Sequence, residues 1–125
     1  MKRIVICVFI LLLLIALGIA SYAYTNSAME RTDRALEEIS VSFKGGDLER
    51  TKSLTDKLSE DWRKNYSSYL FIFDKEHVME LTMAISRINI MAKEENPDLT
   101  TECHTAAELI RLYRSKEKLS ILNIL

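Results

Sequence analysis

Proline occurs once in 125 residues, at Pro97, and glycine three times. So few turn formers exclude a β-sandwich or barrel, whose short strands need a turn signal about every 8–12 residues. There are two cysteines, Cys7 and Cys103. Cys7 lies inside an apolar run and Cys103 far outside it, so no disulfide framework exists. An excess of one charge is also lacking: 17 Lys and Arg stand against 18 Asp and Glu, for a formal net charge of −1. Lys2 and Arg3 sit before the apolar run, which leaves the remainder more acidic still and excludes a nucleic-acid surface. No glycine-rich phosphate loop, Walker motif, nucleophile elbow or zinc-protease motif occurs, so no cofactor is expected and no reaction is specified.

What is present begins with "IVICVFILLLLIALGIASYAY", residues 4–24, a run without charge or proline. Its length as a helix is about 30 Å, the thickness of a hydrocarbon core. Residues 1–25 therefore predict a membrane anchor, with Tyr22 and Tyr24 at the outer interface. Lys2 and Arg3 predict a cytoplasmic N-terminus, a single pass and an extracytoplasmic domain over residues 26–125 at the cell membrane. The alternative is a cleaved signal peptide and a secreted domain, since Gly18 and Ala20, or Ser21 and Ala23, have cleavage-site spacing. The apolar run exceeds the usual signal core of about 7–15 residues, which favours the anchor. Cys7, too near the N-terminus for a lipoprotein cysteine, reads as a packing residue.

The rest of the chain predicts an all-α domain of four helices in two antiparallel hairpins. After a polar break at "TNS", residues 25–27, apolar positions recur at Met29, Thr32, Leu36, Ile39 and Phe43, the spacing of one buried helical stripe. "KGGD" then supplies a glycine stop and the Asp47 cap for a second helix, which buries Leu48, Thr51, Thr55, Leu58 and Trp62. "YLFIF" extends that helix or forms a short strand. A third stripe, Val78, Leu81, Ile85, Ile88 and Ala92, repeats the first 49 positions later. "ENPDLT" makes the second turn, with Asn96 as a cap and Pro97 as the first helical residue. The fourth stripe is Leu99, Cys103, Ala106, Ile110 and Tyr113, and Leu48, Leu58 and Trp62 correspond to Leu99, Leu109 and Tyr113 at an offset of 51. Duplication and independent heptad spacing both account for this pattern.

"FDKEHVMEL" concentrates Asp74, Glu76, His77 and Glu80 in two helical turns. Asp74, His77 and Glu80, each three apart, share a face and are the candidates for a metal site, and hence for a metal sensor or metal-dependent enzyme. His77 falls at the edge of the buried stripe, in a row with Ala84 and Met91, and Glu80 is expected to point further toward water. His104 follows the buried Cys103 and so faces outward, forming a surface pair with Glu108, and it offers no ligand to complete the set. Cys103 and His104 are neighbours turned apart by the helix, which excludes a nucleophile–base pair there. The favoured reading is a non-enzymatic interaction or structural module, with a protein partner or a second copy of itself.

Trp62, His77, "ELTMAISRI" (80–88) and the terminal "EKLSILNIL" (117–125), in this order and spacing, resemble the bacterial family catalogued as domain of unknown function 4363. Its members are short proteins with an N-terminal membrane segment, mainly from Firmicutes. "LSILNIL" resembles that family's Leu-Ser-x-x-Asn-Ile-Phe ending, with Leu125 where an aromatic is more usual. The resemblance implies a place in the cell envelope and a fold without a mechanism, and it singles out His77, Arg87 and Asn123. Trp62 and the terminal residues Leu119, Asn123, Ile124 and Leu125 complete the interaction or structural candidates. The tail, five of whose last seven residues are apolar, is expected to dock, because exposing it would leave a sticky patch.

Overall fold

The computed structural model describes the backbone of residues 1–124 and the side chains of residues 1–116. Four helices follow in order: α1 Lys2–Lys44, α2 Leu48–Ile72, α3 Lys75–Lys93 and α4 Leu99–Ile124, with no strand among the described residues. The connections are short, so consecutive helices pack antiparallel. α1 packs on α2 and α4, and α3 packs on α2 and α4, which closes a ring of four around one core.

All four stripes face this core, and of the residues assigned to them only Phe43 and Leu48 are merely half-buried. Each large aliphatic side chain so buried contributes roughly 1.5–3 kcal/mol. Thr25, Ala28, Tyr69, Phe73, Ala84 and Ala107 join them. Two of the hydroxyls buried in the core are satisfied within α1. Thr25 donates to the Ser21 carbonyl at 2.9 Å and Thr32 to the Ala28 carbonyl at 3.0 Å.

The first correction concerns "TNS". No break occurs there: α1 runs unbroken for 43 residues, and Thr25 turns into the core. The helix propensities of Thr, Asn and Ser fall short of Ala by no more than about 0.7 kcal/mol each, less than packing at this point returns. "YLFIF" is helical as far as Ile72, and Phe73 ends α2 in extended backbone.

The two long hairpin turns share one geometry. At the first, the Gly46 N–H donates to the Phe43 carbonyl and the Asp47 N–H to the Ser42 carbonyl, both at 3.1 Å. At the second, Glu95 donates to Ala92 at 3.3 Å and Asn96 to Met91 at 2.9 Å. Both are Schellman closures with a left-handed residue, Gly46 at φ 81° and Glu95 at φ 55°. Asp47 then caps α2 by accepting from the Arg50 N–H at 3.1 Å. In the second turn Asn96 and Pro97 intervene, and the Asn96 side chain accepts from the Asp98 N–H at 2.9 Å. Pro97 is therefore a turn residue and Leu99 opens α4. Two inserted residues explain why the offset between hairpins changes from 49 to 51.

The docking expected of the tail concerns side chains outside those described. Leu119, Ile121, Leu122, Asn123 and Ile124 belong to the part of the chain whose side chains fall outside the described residues, as does Leu125 entirely.

Candidate functional site

α3 begins at the α2–α3 corner, and its first two turns carry the residues of "FDKEHVMEL". Asp74 stands at the N-cap but makes no capping bond with its side chain. Its Oδ2 lies 3.9 Å from His77 Nδ1, beyond hydrogen-bond reach. That Nδ1 is buried and has no hydrogen-bond partner among the described residues. The imidazole instead lies flat on the Tyr113 ring of α4, with centroids 3.9 Å apart and planes 8° from parallel.

Tyr113 also decides the position of Glu80. Its phenol donates to Glu80 Oε2 at 2.6 Å, so Glu80, exposed as expected, also ties α3 to α4. Burial, and then the bond to Glu80 and the carboxylate charge, push the Tyr113 phenol up to about 12. Asp74, His77 and Glu80 thus share a face as the spacing implies. Their polar atoms are nonetheless divided between solvent, an aromatic ring and a phenol. Among the described residues no group of three or more His, Cys, Asp or Glu side chains is placed to hold a metal ion.

Trp62 is 3% exposed. Its Nε1–H donates to Thr82 Oγ1 at 2.8 Å, and Thr82 in turn donates to the Val78 carbonyl at 2.7 Å. Tyr69 packs on the indole with centroids 4.5 Å apart. Trp62 is therefore a core anchor joining α2 to α3. Arg87 crosses from α3 to α4, where its Nη2 and Nε lie 2.8 and 2.9 Å from Glu102 Oε1. Cys103 is buried and its thiol is pushed up to about 12 by burial, as befits an inert core residue. His104 is exposed as expected, but Glu108 turns to Arg111 at 2.9 Å rather than to the histidine.

Residues that the sequence pattern does not reveal complete the seams. Asn89 Nδ2 on α3 reaches Asp56 Oδ1 at 3.1 Å and Ser59 Oγ at 3.0 Å on α2. Arg114 on α4 donates to Asn26 at 2.9 Å and Arg111 lies 3.4 Å from Asp33, both on α1. Tyr24 on α1 donates to Asn65 on α2 at 2.8 Å. Each of the four seams is clasped by at least one polar contact between helices. Such pairs leave no trace in spacing along one helix. A concave region of about 800 Å³ opens between α2 and α3, lined by Asp56, Ser59, Trp62, Thr82, Asn89 and Lys93 among others.

This fold and this site define a class: an antiparallel four-helix bundle whose polar side chains tie helix to helix, carried on a helix long and apolar enough to cross a membrane. The chain belongs to the family described as "Domain of unknown function (DUF4363)", which matches residues 19–124 and so includes Trp62, His77, Arg87 and Asn123. No curated protein and no solved structure matches it.

Proposed function

We propose that the chain is a single-pass membrane protein of the bacterial cell envelope, with its bundle outside the cytoplasm, and that it works by binding another protein or a second copy of itself. The observation that carries this reading is α1. One helix runs from an apolar half that the bundle leaves uncovered into a half that forms a wall of the bundle. Lys2 and Arg3 at its start favour a cytoplasmic N-terminus. The binding face has support of its own, because Met79, Met83 and Ile90 are exposed along the outer side of α3. They form an apolar stripe about 16 Å long, and methionines adapt to a partner's shape.

Two measurements test the proposal. A reporter fused after Leu125 is expected to be active only when exported, and a photo-crosslinking residue in place of Met83 is expected to give protein adducts of discrete mass. Activity of a cytoplasm-only reporter refutes the topology. Stoichiometric zinc or iron that is lost in His77→Ala refutes a purely non-enzymatic binding role and restores the metal reading.

A further inference from the structure

The end of the bundle nearest the apolar half of α1 includes the α2–α3 corner. From Asn65 to Phe73 there is no charged residue, and Phe71 is 84% exposed, with Leu70 beside it at 36%. α2 runs antiparallel to α1, and the Tyr24–Asn65 bond sets their register. Phe71 and Ile72 consequently share a cleft of about 490 Å³ with Leu17, Ala20, Ser21 and Tyr24. Every α1 residue in that cleft up to Tyr24 belongs to the apolar run.

This overlap has a geometric consequence. If residues 4–24 fill the hydrocarbon core, a side chain level with Ala20 or Ser21 lies about 5 Å inside its outer boundary. That is the depth at which interfacial helices bury their apolar faces, about 5–10 Å. Asp74, Lys75 and Glu76 lie at the tip of the same corner, no farther from the bilayer than Phe71, so their charges hold the corner at a level that headgroups and water still reach.

We infer that the corner is a second membrane contact, with the side chains of Phe71 and Leu70 covered by outer-leaflet lipid at the boundary between headgroups and acyl chains. The inference rests on the membrane-anchored reading above. The bundle then stands on the bilayer at two points, one spanning and one interfacial. Phe71 needs no partner protein to cover it.

Nitroxide labelling of the full chain in phosphatidylcholine–phosphatidylglycerol vesicles tests this. Phe71→Cys, Phe9→Cys and Val41→Cys are each made in a Cys7→Ser background, and buried Cys103 takes no label. All three positions are exposed, so the fold is preserved, which circular dichroism checks. Collision with oxygen is expected to exceed collision with a water-soluble nickel complex at positions 9 and 71, and the reverse at 41. A label at 71 that behaves like that at 41, while 9 reads as lipid-buried, overturns the second contact and leaves the anchor intact. A label at 71 shielded from both reagents reports a protein neighbour, such as another copy, and also overturns it. A label at 9 that reads as water-exposed overturns the anchor and the inference together.

Discussion

Tyr113 does two things at once, since its ring carries His77 and its hydroxyl holds Glu80. The elevated affinity of its phenol for its proton makes stability depend on pH in a definite direction. Tyr113 is raised from the ordinary 10.0 to about 12, so between these values the folded state keeps a proton that the unfolded state has lost. Its contribution is complete below pH 10 and disappears as pH rises through 12. Cys103, raised from 9.0 to about 12, acts in the same direction from a lower starting point. Urea titrations of the full chain in detergent at intervals from pH 9 to 12 should therefore show falling stability. Tyr113→Phe should be less stable at neutral pH by about 1 kcal/mol, for the lost bond to an exposed carboxylate, and should fall less steeply above pH 10. Cys103→Ala should flatten the part nearest pH 9. A Tyr113→Phe curve parallel to that of the parent would show that the phenol is not held by burial and Glu80.

At the scale of elements, the hairpin turns show how the same joint is built from different residues. Gly46 takes the left-handed position without a Cβ, and a Cβ built there meets nothing within 4 Å. Its cost in Gly46→Ala is thus conformational, about 1 kcal/mol. Glu95 occupies the equivalent position and bears that cost already, and its exposed contact with Lys52 at 3.4 Å contributes little against it. Glu95→Gly should therefore leave stability unchanged or raise it by up to about 1 kcal/mol, whereas Gly46→Ala should lower it, as thermal melts of the two variants will show. Destabilisation by Glu95→Gly comparable to that of Gly46→Ala would mean that the Lys52 contact outweighs the backbone. The stripes and the glycine stop were legible because period and turn chemistry are local. The Glu95 closure was not, since nothing in a glutamate announces a positive φ. Nor was the pairing of His77 with Tyr113, whose residues lie on different helices and meet only after both stripes are turned to one core.

At the scale of the molecule, the continuity of α1 matters most. A polar triplet after an apolar run reads as a break between two helices, and a break there would let the bundle move independently of the apolar run. The structure has instead a helix of 43 residues, about 65 Å long, clasped to α2 at Tyr24 and to α4 at Asn26 and Asp33. These contacts begin at the last residue of the apolar run, so that run and the bundle share one axis. Val41, exposed near the far end of α1, lies seventeen residues beyond Tyr24, or about 25 Å along the helix. A tilt of about 20°, usual for spanning helices, shortens that height only slightly. On the proposed membrane-anchored topology, energy transfer from a donor on Val41→Cys, again in the Cys7→Ser background, to acceptor headgroups in the outer leaflet should report a single height near that value. Bending the helix by Ala28→Pro, which removes a backbone bond at a buried position, should broaden the height distribution and bring the donor closer to the membrane. A broad or short distribution in the parent chain itself would mean that α1 hinges between its two halves in the bilayer.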